Sequence, residues 1–518
     1  MFYWVFLCLI ILLTGCAALP VNKDRPTSLA FRDGQDTSLG RLVEVIHSPH
    51  RTQSGFLIHD TGRQALTQRL ALVEMAERAI DAQYYIWNSD TSGRLLAERL
   101  IDAADRGVRV RLLLDDFSVG DRDRALSALN AHPEIEVRVY NPFQRQLGSG
   151  IGRLVNFLAE FSRLNRRMHN KTFTVDNSVA IVGGRNIGDE YFDLHPELNF
   201  RDRDLLAVGP IVQRVNDNFD AYWNSRWAYP IVELTEPPTA EEAQALYQQL
   251  REQIAEDMPL AYLVPSDQRN ARALLTQELS QLVWAEAELV FDRPGKPDDP
   301  TVLPADQNVG RQLFELANAT RRELLLESAY LVPRPAASEL FTTLRDKGVK
   351  IRALTNSLAS NDVLPNHAGY ARVRPALLKE DVELYELRPD AASCRQLLGN
   401  PAYCDGDSLF SLHAKSVVFD REVLYVGSFN LNQRSVYFNS ETALIVHSPE
   451  LAGRVAEAIK ENMAPENSWR VMLDDHGDLV WITSKNDIEQ KTYGDPEVSP
   501  WRRFKADFIS LFPLEKYF

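Results

Sequence analysis

The sequence predicts an α/β protein of two pseudo-symmetric α/β/α domains with mainly parallel central sheets and one shared site at their interface. Three observations carry that prediction. Strand-like and helical patterns alternate, which reads as βαβ units. The same succession of elements appears twice, about 240 residues apart, as a duplicated unit requires. Matching sets of His, Lys, Asp, Gly and Asn fall at equivalent places in the two copies. Two units also suit the length, because 518 residues exceed what one hydrophobic core usually holds.

The chain opens with MFYWVFLCLIILLTGC. Residues 2–13 form an apolar run of signal-peptide length, short for a membrane span. It ends in Leu13-Thr14-Gly15-Cys16, which resembles a bacterial lipoprotein box. That resemblance implies a signal peptide over 1–16, lipid attachment at Cys16 and removal of what precedes it. No Lys or Arg precedes the run, so an uncleaved anchor helix stands as the alternative. Either places the protein at a membrane of the bacterial cell envelope, facing the periplasm or exterior.

Residues 17–63 follow as an N-terminal segment, and the first domain is expected over 64–235. Its strand at 82–87 leads to an amphipathic helix at 93–105, then through Arg106-Gly107 to a buried-strand run at 108–115. An acidic, Pro-rich stretch opens a linker over 236–300 with one helix and a second break at Pro294-Gly295. The second domain is expected over 301–500, with strands at 323–330 and 349–354 around a helix ending at Lys347-Gly348. In both copies a glycine stands where a helix must turn into a strand, a place for left-handed backbone. A basic, aromatic tail over 501–518 closes the chain.

Composition narrows the class. Hydrophobic residues make up 45% and charged residues 25%, globular values that exclude a fibrous or disordered chain. Lys and Arg total 57 against 72 Asp and Glu, a net charge of −15. Binding nucleic acid through a general basic surface is thereby disfavoured, and an anionic ligand needs a local cationic pocket. A mean hydropathy of −0.27 with a single apolar segment excludes a polytopic membrane protein. Of four cysteines, Cys8 lies in the leader and Cys16 is the lipid site. Cys394 and Cys404 remain, ten positions apart, as a candidate small-loop disulfide or two free thiols.

The chemistry lies in two clusters. His169, Lys171 and Asp176 are followed, six residues on, by Gly183-Gly184-Arg185-Asn186. His413, Lys415 and Asp420 are followed, again six residues on, by Gly427-Ser428-Phe429-Asn430. The offset is 244 at both the His and the Gly positions. His and Lys two apart on an extended strand share a face. The glycine turn permits close backbone approach to a ligand, and Asn supplies amide donors. Two copies set an imidazole, an ammonium and an amide each around one phosphodiester. Asp176 and Asp420, an odd number of residues from Lys, read as turn or scaffold residues more readily than as direct participants.

This pair of motifs resembles the phospholipase D superfamily, whose hallmark is a duplicated His-x-Lys-x4-Asp. Within it the sequence is most similar to bacterial C-type cardiolipin synthases, which are phosphatidyltransferases. Nearly all of the chain after Gln64 takes part, including residues 81–87, 107–116, 162–171 and 182–189. The resemblance implies two phospholipase D-like domains and transfer of a phosphatidyl group through a phosphohistidine. The motif residues His169, Lys171, Asp176, His413, Lys415 and Asp420 would form the catalytic set. By family analogy His169 is the nucleophile and His413 the general acid and base. Lys171, Lys415, Asn186 and Asn430 would hold the non-bridging oxygens.

A carboxylate behind each imidazole would fix its tautomer. Glu441 is the expected partner of His413, and Asp202, from Arg201-Asp202-Arg203-Asp204, the expected choice in the first half. No metal or other cofactor is implied. The implied partners are the membrane and its phospholipids, phosphatidylglycerol first and phosphatidylethanolamine as a second donor, with an accessory protein an open question. No nucleic-acid partner is expected. The rival readings are a phospholipase D hydrolase releasing phosphatidic acid and, more remotely, a phosphodiesterase or nuclease.

Three weaker signals remain. Arg163, Arg166 and Arg167 either line an entrance for an anionic headgroup or sit in a solvated loop. His367 is either near the site or on a surface loop. The tail at 501–513 interleaves aromatics with cations, as at a bilayer interface or in an ordinary docked helix. The aromatic strand around Tyr84 and Tyr85 reads as core.

Overall fold

A computed structural model describes residues 25–118, 122–144, 160–256, 267–297, 307–398, 400–404, 408–485 and 488–512, with 19 and 265. The leader, Cys16 and residues 513–518 lie outside the described residues.

The first half contains β1 (Ser54–His59), β2 (Ala79–Tyr84), β3 (Arg109–Asp115), β4 (Ile135–Tyr140), β5 (Thr172–Val175), β6 (Val179–Gly183), β7 (Leu198–Arg201), β8 (Asp204–Val208) and β9 (Ala228–Pro230). Its sheet runs β1-β8-β6-β5-β2-β3-β4-β9. The second half contains β10 (Val283–Phe291), β11 (Glu323–Ser328), β12 (Lys350–Asn356), β13 (Val382–Leu387), β14 (Leu409–Leu412), β15 (Lys415–Phe419), β16 (Val423–Gly427), β17 (Thr442–His447) and β18 (Ser468–Leu473). Its order is β10-β17-β16-β15-β11-β12-β13-β18, the same arrangement strand for strand. A hairpin, β19 (Leu479–Lys485) with β20 (Ile488–Thr492), extends that edge. Helices flank both sheets.

The α/β class and the duplication hold, but the sheets are mixed rather than mainly parallel. Within the two large sheets, parallel pairing among the described residues is confined to β2-β3-β4 and β11-β12-β13, where helices such as Thr91–Asp105 and Pro335–Asp346 supply the crossovers. The motif strands instead form hairpins. β5 returns as β6 with Val175 paired to Val179, and β15 as β16 with Phe419 paired to Val423. So short a connection permits only antiparallel pairing.

The helix-to-strand glycines have the backbone foreseen for them. Gly107 has φ +89° and Gly348 φ +78°, and a Cβ at either would meet nothing within 4 Å. Conformation, rather than space, demands glycine there.

The expected boundaries also move. β1 lies upstream of residue 64 yet pairs with β8, and β10 lies inside the expected linker yet pairs with β17. Acidic residues disguised β10: Glu286 and Glu288 are exposed on one face while Ala285 and Leu289 are buried on the other. β1 and β10 pair with each other, so the two sheets join.

A second junction lies at the site. β7 of the first half runs parallel to β14 of the second, with Arg201 opposite Leu412. The central apolar cluster draws Phe56, Val182 and Leu205 from one half and Leu325, Val418 and Leu444 from the other. Burial on this scale makes the halves one folding unit rather than two loosely linked domains. Cys394 and Cys404 are joined as a disulfide, their Cα atoms 5.8 Å apart.

Candidate active site

Each motif is tied down by backbone from the opposite half. The His169 N–H donates to Ser440 O at 2.8 Å, and the His413 N–H donates to Arg201 O at 2.8 Å. The side chains follow the same cross-over. His169 Nδ1 lies 2.8 Å from Glu441 Oε2 and 3.0 Å from Ser428 O. His413 Nδ1 lies 2.5 Å from Asp202 Oδ2.

The expected carboxylate pairing is therefore exchanged: Glu441 backs His169, and Asp202 backs His413. The cause is the interface backbone. The β7–β14 ladder sets Arg201 opposite Leu412, so the next residues, Asp202 and His413, come side by side. A bridge between Met168 and Ser440 does the same for His169 and Glu441. With Nδ1 engaged, Nε2 of each ring is the nitrogen left for a substrate. The rings are nearly buried, 6% exposed for His169 and 5% for His413.

The lysines stand beside their histidines. Lys171 Nζ donates to His169 O at 2.6 Å and lies 5.3 Å from the centre of the Tyr85 ring. Lys415 Nζ donates to His413 O and lies 2.9 Å from His413 Nδ1. Rings wall the imidazoles: Tyr85 packs edge-on to His169 at 5.0 Å, and Tyr191 to His413 at 5.1 Å. The aromatic strand thus divides, with Tyr84 in the core and Tyr85 turned to the site. Tyr191 carried no spacing signal and was missed.

The remaining candidates separate. Asn186 is committed to the scaffold. Its Oδ1 accepts from the Ile86 N–H at 3.2 Å, and its Nδ2 donates to the Tyr191 hydroxyl at 2.9 Å. Asn430 is buried with its Oδ1 unpartnered. Asp176 and Asp420, placed in the catalytic set, are turn residues. Asp176 accepts from the N–H groups of Glu77, Arg78 and Ala79 at 3.0, 2.8 and 2.9 Å. Asp420 accepts from those of Arg321, Arg322 and Glu323 at 2.9, 2.7 and 3.0 Å. Both have left-handed backbone, φ 51° and 53°, which Asp tolerates better than most residues. They clamp the motif hairpins to the starts of β2 and β11.

The glycines serve neighbours rather than a ligand. A Cβ on Gly184 would lie 2.2 Å from Asp202 Oδ1, and one on Gly427 2.4 Å from the Ala443 Cβ. Of the basic run, Arg167 is buried and paired with Asp115 at 3.0 Å, and Arg163 pairs with Glu160, so neither is a free entrance cation. His367 is buried in the helix Leu364–Lys379, 3.5 Å from Asp495, instead of on a surface loop.

Burial dominates the electrostatics. It lowers His169 to about 4, with Lys171 adding and Glu441 opposing. Burial, then Lys415, lowers His413 to about 3 against the pull of Asp202. Lys415 is lowered to about 8 and Lys171 well below its usual value, both mainly by burial. Burial by itself would raise Asp202 and Glu441. His413 and Lys415 outweigh it at Asp202, His169 and Lys171 at Glu441, and both stay ionised. Each imidazole also feels the lysine of the other half, so both motifs share one field. Two neutral imidazoles with fixed tautomers, flanked by lysines, suit nucleophilic attack on a phosphorus ester.

The family profile described as "Cardiolipin synthase, PLD-like domain" matches residues 70–223 and again residues 313–463. Cardiolipin synthase C of Escherichia coli (strain K12) is 38% identical over 493 residues, 92% of this chain and 99% of that protein. An uncharacterized protein of Helicobacter pylori (strain J99) is 29% identical, with 96% of each chain covered. Among solved structures, phosphatidylserine synthase of Haemophilus influenzae Rd KW20 shares the fold. Its TM-score is 0.52 at 13% identity, covering 81% of this chain and 90% of that one.

The crossed pairs give a test by imidazole nitrogen NMR. Because Glu441 raises His169, Glu441→Gln should lower the His169 pKa further and leave that of His413 nearly unmoved; Asp202→Asn should do the reverse. The opposite assignment of effects would mean that each carboxylate backs its own half's histidine.

Proposed function

This chain belongs to the PLD-like cardiolipin synthase family of the phospholipase D superfamily, and from that premise we propose that it joins two phospholipids into cardiolipin through a phosphohistidine. The observation that carries the reading is the pair of buried, carboxylate-backed imidazoles with their lysines at one interface.

Nε2 of neutral His169 attacks phosphorus, a P–N bond forms, and the P–O bond to the leaving alcohol breaks. His413 gives that alcohol its proton from Nε2. Neutral His413 then takes the proton of an incoming hydroxyl, here a glycerol hydroxyl of phosphatidylglycerol. The new P–O bond forms as the P–N bond breaks, and His169 returns to its starting state. Lys171 and Lys415 balance charge on the non-bridging oxygens as phosphorus becomes five-coordinate. Asn430, with an unpartnered amide oxygen, is the motif asparagine free to turn its amide to substrate. Asn186 acts one step back, by holding Tyr191. The anionic phosphodiester supplies the charge that lets His413 hold a proton it does not hold in the free enzyme.

Phosphatidylglycerol is the proposed acceptor and donor, with phosphatidylethanolamine a second donor. We place the protein on the periplasmic or exterior side of a bacterial membrane, tethered through lipid on Cys16. The working unit is the fused pair of phospholipase D-like halves.

Incubation with labelled phosphatidylglycerol should move label into cardiolipin, whereas label confined to phosphatidic acid would assign a hydrolase. In the same assay His169→Ala should cut turnover by about 10³-fold or more and leave no acid-labile phospho-enzyme. A covalent adduct that survives this change would transfer the nucleophile's role to another residue.

The pH profile follows from Lys415. Its ammonium is needed, and its pKa of about 8 is lowered by burial, so kcat/KM should fall as pH rises through about 8. His169 is neutral above about pH 4, but His413, neutral in the free enzyme, must take up the proton it gives the leaving alcohol, so kcat/KM should decline with rising pH already across 6–7 and more steeply above about 8. A profile still rising at pH 9 would exclude a charged Lys415 from the reaction.

A further inference from the structure

Among the described residues, exposed large apolar side chains are scattered except at one place. Five of twelve, Trp501, Phe504, Phe508, Leu511 and Phe512, belong to the last helix, Pro500–Ser510, and the two residues after it. Scattered exposure is ordinary on a soluble surface; a cluster of this kind marks a contact face.

The spacing of 501, 504 and 508 puts those rings on one side of the helix, and Phe512 follows just beyond its end. They run in a row, with centres 5.5 Å apart for Trp501 and Phe504, 6.4 Å for Phe504 and Phe508, and 5.4 Å for Phe508 and Phe512. Trp501 is 64% exposed, Phe504 56% and Phe508 53%. Lys505 Nζ lies 5.9 Å from the Trp501 ring centre.

The opposite side holds the helix to the protein, and it does so with polar groups. Arg502 Nε donates to Leu358 O at 2.9 Å and its Nη2 donates to Asn361 O. Arg503 Nη2 donates to Asp495 O at 2.7 Å, and Ala506 is buried between. A terminal helix docked in the ordinary way buries its rings and exposes its arginines. Here the arrangement is inverted, with the rings in solvent and the arginines against the protein.

The inverted helix is one loop from the site. Asn361 precedes Asp362, whose carboxylate accepts from the Tyr330 hydroxyl at 2.9–3.0 Å and acts on Lys415 electrostatically. Asn356, at the start of that loop, donates to Leu412 O at 2.7 Å, immediately before His413. From the first half, Phe117 is 62% exposed and stacks on Tyr85, which packs on His169. Aromatic surface therefore leads from solvent to the catalytic rings.

We propose that the aromatic face of the C-terminal helix seats in the interfacial layer of a phospholipid bilayer and holds the cleft against it. The occupant follows from chemistry and from position. Trp and Phe with a flanking Lys match the boundary of acyl chains and phosphates, and Arg502 fastens the helix to the loop beside the site where a phosphodiester reacts. This deepens the phosphatidyl-transfer reading, on which it rests.

The test uses the full chain on vesicles of phosphatidylglycerol and phosphatidylcholine, with photoreactive benzoylphenylalanine at position 504 and, as control, at exposed Val232. Position 504 should form adducts with lipid and position 232 should not. Adducts of position 504 with a second copy of the chain, or none, would overturn the proposal. The combined change Trp501→Ser, Phe504→Ser and Phe508→Ser should slow turnover on vesicles about tenfold. It should leave turnover of lipid in detergent micelles unchanged; equal rates for altered and unaltered chains on vesicles would also overturn the proposal. An unaltered chain that turns over lipid in neither setting counts against phosphatidyl transfer, and the position 504 adducts still decide the membrane face.

Discussion

Two hydrogen bonds across the interface, Asp202 to His413 and Glu441 to His169, set the terms for the rest of the structure. Neither half completes the surroundings of its own motif histidine, because each imidazole takes its tautomer from the other half. The carboxylates are buried charges, costly unless well held, and each segment has its own fastening. Arg185 donates to Asp202 O at 2.5 Å and to His59 O at 2.9 Å. On the other side the Glu441 N–H donates to Asp292 Oδ2 at 3.1 Å, and Lys296 holds Asp292 at 2.9 Å. Gly184 is small because Asp202 occupies the space its side chain would need. The β7–β14 ladder and the shared apolar cluster bring both pairs into register at once.

That architecture explains why burial can lower the imidazoles without disabling them. In the free state the site offers two neutral rings, two ionised carboxylates and lysines weakened by desolvation. Water stabilises these lysines poorly, so an anionic phosphodiester gains more from them than from lysines at the surface. An anion bound there would raise every cationic pKa nearby.

Much of this was legible in the sequence, in identifiable places. The 244-residue offset of His169 and His413 announced the duplication, and the glycines at 107 and 348 announced helix ends. The strand alternation of Glu286 and Glu288 was present, inside the span expected as linker. The identities of Glu441 and Asp202 were readable, and their ownership was not. In a pseudo-two-fold molecule a carboxylate following each motif reaches either imidazole, and only the interface ladder decides. Asn186 failed for a similar reason, since motif spacing places the amide but says nothing of Tyr191, which claims it. Asp176 and Asp420 lie one residue past the ends of β5 and β15 with left-handed backbone, so their turn role comes from the hairpin and not from parity along a strand.

The two imidazoles face a problem that symmetry makes and the substrate resolves. Their surroundings are nearly equivalent, a carboxylate at Nδ1 and a lysine alongside, and both are neutral before binding. A pair so alike has no built-in nucleophile and acid. Once one ring bonds to phosphorus it cannot carry the leaving group's proton, so that proton must come from the other. The phosphoryl oxygens remain anionic throughout and keep the second ring basic enough to serve. Which ring attacks is then set by how the diester lies in the cleft, and thus by what orients its two alcohol arms. Asymmetry on that scale exists in the walls: Ser428 donates to Glu441 at 2.6 Å where the first half has only Gly184 beside Asp202, and Asn430 is unpartnered at Oδ1 where Asn186 is tied to Tyr191. The differences between the two otherwise equivalent surroundings therefore lie in the motif turns.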